Sequence, residues 1–248
     1  MYAGITRDKR GRRLSGGIAG QRIQLARGNV KPMMQNTKRE LAAGSLLIAG
    51  SAAGVVVMAL HPTAHGLMNA ESGPHLTQVN VMVHGLALAA TPLVFLGLLG
   101  LWRRLAPSDL ATAALVINGW GCVAVMSAAV ASGFVSPAVI ARLGAGGSNM
   151  SETLLHYTGM WNQGFAKVNV VATSIGILLF SVAILRSARL AAWAGIFGAV
   201  VSALILVLFF VGHLKLDVHG FGMVIFAQSA WLVSIGILLC RGRREGTP

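Results

Sequence analysis

Six long apolar runs constrain this chain more than any other feature of its sequence. Each run is about 20 residues long, which is the length of helix that crosses a hydrocarbon core of about 30 Å. The chain is also 55% hydrophobic and only 11% charged, and a soluble domain of this size would expose too much of that apolar surface to water. The sequence therefore predicts an all-α integral membrane protein.

The six runs define a predicted bundle of six transmembrane helices. They must be helices because lipid offers no partner to an unpaired backbone N–H or C=O, and they lack the alternating pattern of barrel strands. Pro62 and Pro137 follow the first and third runs, where proline stops a helix, and Pro92 predicts a kink within the second. The predicted spans are residues 41–60, 79–101, 110–134, 165–185, 190–212 and 218–240.

Lysine and arginine are distributed unevenly between the two sides of this topology. Ten of the 20 basic residues precede the first span, and seven more lie on the same side, in the even-numbered turns and the C-terminal tail. The opposite side holds only Arg142, Lys167 and Lys215. The positive-inside rule then places both termini in the cytoplasm of a multi-pass protein of the inner (plasma) membrane. The net charge of +13 follows from topology and attraction to lipid headgroups, so we do not expect nucleic-acid binding.

These patterns divide the chain into three segments. Residues 1–40 are a basic arm that we expect to be disordered, because it is rich in arginine, glycine and serine and shows no amphipathic period. It serves as a polybasic arm or a presequence, or else translation starts at Met33 or Met34, which is the interpretation that we favour. Residues 41–240 form the six-helix domain, and residues 241–248 form a short basic cytoplasmic tail.

The histidines all fall on the predicted outer side. His84 lies deepest, within the second span, and Asn80 lies four residues before it on the same helical face. A polar side chain at that depth should face the bundle interior. It either bonds to Asn169, Gln228 or a backbone carbonyl as a helix-to-helix contact, or lines an outward-facing polar cavity. The predicted cavity residues are His84, Asn80, Lys167, Asn169 and Gln228.

Four other histidines are candidate metal ligands. His61 and His65 are four residues apart and would share a face if the helix continued past Pro62, a spacing that chelates copper or zinc. His213 and His219 lie in the short outer turn before the last span. A haem b site is less expected, because axial ligation needs two histidines at matching depth and His84 has no such partner.

A longer outer segment, residues 135–164, separates the third and fourth spans. Within it, residues 151–161 begin with a serine that can cap a helix and contain two aromatic residues four apart. This pattern predicts a short helix along the membrane surface, with a lid over the histidines as the alternative.

No catalytic motif is present. The sequence contains no P-loop, GxSxG, HExxH or CxxC pattern, so no catalytic residue is assigned. Three functions remain open. The favoured one is a non-catalytic accessory or assembly protein, whose partners are the lipid bilayer and other membrane proteins. The alternatives are a membrane-embedded module that binds a metal ion, a quinone or haem at its outer face, and a transporter or channel for small solutes.

Overall fold

The computed structural model describes the backbone of residues 17–62, 73–143 and 149–242, and the side chains of 37–62, 75–143 and 149–242. The described part of the chain is helical and contains no strand, and six of its helices are long and apolar enough to cross a membrane. The prediction of six such helices is confirmed. In order, the helices are α1 (Gly17–Leu60), α2 (Gly73–Leu105), α3 (Asp109–Val130), α4 (Ser136–Leu143), α5 (Asn149–Ser187), α6 (Ala192–Phe210) and α7 (Val218–Cys240).

The chain divides into two compact units, Met1–Arg39 and Glu40–Pro248. In the first unit the described backbone is helical from Gly17, and residues 1–16 of the predicted basic arm lie outside the described residues. The second unit contains the bundle. Helix α3 packs most extensively against α5, α5 then packs against α6, and α2 packs against α3.

The larger of the two hydrophobic clusters in the bundle lies toward the end where α2 and α5 finish. Large side chains fill it, with Leu47, Phe180 and Trp231 fully buried. The indole N–H of Trp231 donates to the carbonyl of Ala194 at 2.9 Å, which satisfies its polar atom inside an apolar core. This end of the bundle is therefore closed by packing.

Helices α1 and α7 cross at two glycines. A Cβ atom at Gly44 would lie 2.4 Å from the backbone oxygen of Gly236, and one at Gly236 would lie 2.8 Å from the oxygen of Gly44. Only residues without a side chain permit this approach. The crossing fixes the position of α1, which carries one wall of the site described below.

The third span differs from its prediction. It does not stop before Pro137 but continues through one π-helical turn, Ala131–Val135, into α4. Proline lacks an N–H group, and its ring clashes with the carbonyl four residues earlier. The helical turn before Pro137 therefore widens by one residue, and the helix continues instead of ending. The first span, by contrast, ends at Leu60 as Pro62 predicts, and α2 continues through Pro92.

The predicted surface helix is also different in the structure. Residues 151–161 do not form a separate element, because α5 runs without a break from Asn149 to Ser187. No proline interrupts this stretch, and its glycines are tolerated within a helix. The polar residues at the start of the fourth span therefore belong to α5 itself, which is longer than the predicted span.

Candidate metal and ligand site

His61 and His84 face each other at one end of the bundle. Their Nε2 atoms are 3.3 Å apart, and the two rings meet edge to face with their centroids 4.9 Å apart. His61 is the first residue after α1, and its direction is set where the helix stops before Pro62. His84 lies within α2 and is 6% exposed. The pair thus joins a helix end to the interior of a neighbouring helix.

Each ring is held through its other nitrogen. His61 Nδ1 lies 2.9 Å from the carbonyl oxygen of Pro62, and His84 Nδ1 lies 2.8 Å from that of Asn80. A carbonyl oxygen only accepts, so each Nδ1 carries the hydrogen and donates it. In the neutral rings both Nε2 atoms are then lone-pair acceptors, and those two acceptors point toward each other.

The π-helical turn packs against His84. A Cβ atom at Gly133 would lie 2.2 Å from the Cβ of His84, so glycine is the residue that admits the ring. One residue earlier, the carbonyl of Ser132 accepts a hydrogen bond of 3.0 Å from the side chain of Asn80. The π-helical turn therefore contacts both His84 and Asn80, and the carbonyl of Asn80 orients the His84 ring.

A cavity of about 230 Å³ opens beside the pair. Most of its wall is apolar, and small residues such as Gly54, Ala90 and Ala128 occur repeatedly along it. The polar side chains among its lining residues are Ser51, His61, His84, Thr91, Asn162, Gln163, Asn169, Thr173, Asp217, Gln228 and Ser229. The two histidines thus line a larger cavity with other polar side chains.

The amide side chains deeper in the cavity mainly join helices. Gln228 Nε2 on α7 donates to the hydroxyls of Thr173 and Ser174 on α5, at 3.0 and 3.1 Å. Asn169 Nδ2 donates to the carbonyl of Gly121 at 2.9 Å, while its Oδ1 is buried without a hydrogen-bond partner among the described residues. Neither amide forms a hydrogen bond with His84 in the described structure, so of the bonds predicted for that ring only the one to a backbone carbonyl is formed.

The charges near the pair are few. Burial lowers the pKa of His61 below its usual value, and the hydrogen bond to Pro62 opposes that shift only in part. His61 is therefore neutral near pH 7. Asp217 also lines the cavity, but its Oδ1 accepts the backbone N–H of Gly220 at 2.8 Å and caps α7.

The other predicted site residues lie apart from this pair. His213, His219 and Lys167 are exposed and do not line the cavity, and Asn80 is buried behind His84. His65 lies outside the described residues. Within the described ranges, no group of three or more His, Cys, Asp or Glu side chains is placed to hold a metal ion.

Sequence reasoning did not identify the His61–His84 pair or the glycine behind it. His84 was assigned to a polar cavity and His61 to a metal site, with His61, His65, His213 and His219 named as possible companions of His84. The signal for the π-helical turn was Pro137 at the end of a long apolar run, since a proline within a continuing helix requires local widening.

No family model matches the chain, and neither the curated proteins nor the solved structures contain a match to it.

Proposed function

We propose that this chain is a membrane-embedded module that binds a transition-metal ion between His61 and His84. The proposal depends on one observation, the two Nε2 atoms that oppose each other at 3.3 Å while both Nδ1 atoms face backbone carbonyls. Two lone pairs at that distance repel unless a cation lies between them. Ligating histidines characteristically donate their second N–H to a carbonyl or carboxylate, as both do here.

The separation of the nitrogens favours a tetrahedral ion. With metal–nitrogen bonds of about 2.0 to 2.1 Å, nitrogens 3.3 Å apart subtend about 104 to 111° at the metal. The square-planar geometry of copper(II) would bring the same two nitrogens to about 2.9 Å. Zinc is therefore the preferred ion, and both of its proposed ligands line the cavity.

The arrangement does not fit haem. Two axial imidazoles bind on opposite faces of the porphyrin, with their nitrogens about 4 Å apart. Here the nitrogens are closer than that, and ring centroids 4.9 Å apart leave no space for a macrocycle between them.

The other candidate functions gain less support. In a purely structural role His61 and His84 would join their helices by a hydrogen bond, but that bond needs a hydrogen on one Nε2, which neutral rings bonded through Nδ1 lack. A solute pathway would use the predicted polar cavity, yet Lys167 is exposed outside it and the Gln228 amide is engaged between helices. The accessory role is the function that remains if metal binding fails.

The experiment measures bound metal on the full chain purified in detergent. Equilibrium dialysis against zinc, followed by elemental analysis, should give one ion per chain, which is lost in His61→Ala and in His84→Ala. Two exposed histidines outside the cavity supply matched controls, and His213→Ala and His219→Ala should each keep the ion. Cobalt(II) in place of zinc should give the visible absorption of a tetrahedral site.

Two results would overturn the proposal. One is equal zinc content in all four variants, which would place any metal elsewhere. The other is the absence of zinc from the wild-type protein together with nitrogen NMR signals of a proton shared between the two rings. Circular dichroism of each variant checks that the helices are retained.

A further inference from the structure

The cavity beside the histidine pair has a second polar end, deeper in the bundle. On α7 its lining includes Asp217, which caps the helix, and Gln228, which lies about three helical turns or about 16 Å farther along the helix. Gln228 donates to the hydroxyl of Thr173 on α5 at 3.0 Å, and that hydroxyl lies 2.7 Å from the carbonyl oxygen of Asn169. The residues of α5 and α7 that line the inner end are therefore joined at one depth.

Helix α1 reaches the same depth at Ser51. The helices α1 and α7 run antiparallel through the glycine crossing described above, and the side chain of Ile225 is the nearest group to the Cβ position of Gly54. Ser51 is one turn from Gly54 toward that crossing, and Gln228 is one turn from Ile225 in the same direction. Ser51 is therefore level with Gln228, and both residues line the cavity.

The hydrogens of Gln228 and Thr173 are already used within the protein. The amide nitrogen of Gln228 donates to the hydroxyls of Thr173 and Ser174, at 3.0 and 3.1 Å. The hydroxyl of Thr173 has a single hydrogen, and its shortest contact is with the carbonyl oxygen of Asn169. The amide oxygen of Gln228 lies 3.2 Å from that hydroxyl and receives no hydrogen from it. These two residues therefore offer a ligand only acceptors.

Two further polar groups at this depth have no hydrogen-bond partner among the described residues. They are Oδ1 of Asn169 and the hydroxyl of Ser51, whose residues are only 4% and 2% exposed. The amide of Asn169 cannot be reversed, because its nitrogen donates to the carbonyl of Gly121 and its oxygen would oppose that carbonyl. Buried polar groups without partners are costly. The inner end thus has an unused acceptor on Asn169 and an unused hydroxyl on Ser51.

We propose that the inner end of the cavity binds the hydroxyl group of a neutral, membrane-soluble alcohol or phenol. A hydroxyl both donates and accepts, so it donates its hydrogen to Oδ1 of Asn169 and accepts the hydrogen of Ser51. The body of the ligand lies against the apolar wall toward the histidines. This inference goes beyond the proposed metal site and does not depend on it.

Other classes of ligand satisfy only part of this arrangement. A quinone, an ether or an ester has no hydrogen to donate to Asn169. An ammonium group has no acceptor for the hydroxyl of Ser51, and its charge would be uncompensated. The one carboxylate among the described lining residues, Asp217, lies at the other end and caps α7.

The chain offers a matched pair of serines for the test. Ser51 and Ser202 are both buried, and neither hydroxyl has a partner among the described residues, but only Ser51 lines the cavity. Because neither change removes a hydrogen bond of the protein, Ser51→Ala and Ser202→Ala should both keep the stability of the wild type in a thermal melt. Only Ser51→Ala should weaken ligand binding.

Binding is measured by photolabelling the full-length protein in nanodiscs with an octanol that carries a diazirine at its apolar end. Mass spectrometry should locate saturable labelling on cavity-lining residues. Affinity should fall about threefold to tenfold in Ser51→Ala, the loss of one hydrogen bond, and stay unchanged in Ser202→Ala. Unlabelled octanol should protect at least tenfold better than octyl methyl ether, which has no hydrogen for Asn169.

The same labelling with and without zinc separates this inference from the metal site. We expect equal labelling in both preparations, and labelling that requires zinc would overturn the inference. Equal protection by octanol and its methyl ether would also overturn it, as would equal affinity in the two alanine variants or better protection by octylammonium. Zinc bound to the wild type without saturable labelling would refute the alcohol site alone.

Discussion

The contact between Gly133 and His84 makes a direct test of how the site is positioned. In Gly133→Ala the new methyl group would lie 2.2 Å from Cβ, 2.6 Å from Cγ and 3.2 Å from Nδ1 of His84. These atoms lie where the ring joins the backbone of His84, so rotation of the side chain does not relieve the contact. Either His84 or the π-helical turn must move.

The size of the movement follows from ordinary contact distances. Restoring a carbon–carbon contact of at least 3.4 Å requires a displacement of about 1.2 Å. Metal–ligand distances tolerate only about 0.2 Å, so His84 Nε2 would leave its position opposite His61. Zinc affinity should fall at least tenfold, and overpacking should lower the free energy of unfolding by about 1 to 3 kcal/mol.

Gly85→Ala is the matched control for this change. Gly85 is next to His84 on α2, and nothing lies within 4 Å of its Cβ position. The added methyl group should leave zinc affinity unchanged and, by the higher helix propensity of alanine, raise stability by up to about 1 kcal/mol. Zinc titration and thermal unfolding in detergent measure both quantities. Equal zinc affinity in the two alanine variants would refute the positioning role of Gly133.

Three further predictions concern the bundle around the site. Gly236→Ala should lower the free energy of unfolding by about 1 to 3 kcal/mol in a thermal melt, because its methyl group meets the backbone oxygen of Gly44, which cannot rotate away. Asp217→Ala should cost about 1 kcal/mol by removing the cap on the N–H of Gly220, whereas Asp217→Asn should retain most of it. Burial lowers the pKa of His61, so its unfolded form takes up a proton first. The contribution of His61 to stability should therefore be constant above about pH 6.5 and decrease below it, and His61→Gln should remove that part of the pH dependence in denaturant titrations.

The fold was predictable where a single physical requirement acts on one segment. An apolar run of membrane length must form a helix, and six such runs gave six helices in the structure. The first helix ends at Leu60, two residues before Pro62, as the proline predicts. Pro137 did not end the third helix, because a π-helical turn accommodates the hydrogen bond that proline cannot donate. Whether a proline ends a helix or widens it depends on the neighbouring helices.

The site was predictable only in part for the same reason. The depth of His84 in an apolar run required it to face the bundle, and it is buried there. Its partner depended on how the chain turns after Leu60, and on the approach of a second helix that Gly133 permits. Both are properties of three-dimensional packing, so residue spacing along the chain favoured His65 as the companion of His61 and did not indicate the pair that forms.

A proton and a metal ion are the two simplest cations that can separate the opposed nitrogens, and the surroundings of the pair distinguish between them. A shared proton would leave one positive charge beside an apolar cavity, and burial already opposes protonation of His61, as its lowered pKa records. A metal ion carries a larger charge, but it also offers open coordination positions that an anionic ligand can fill from the cavity. A shared proton would also engage both Nε2 lone pairs, but only the metal ion brings open coordination positions through which a ligand from the cavity can balance the charge.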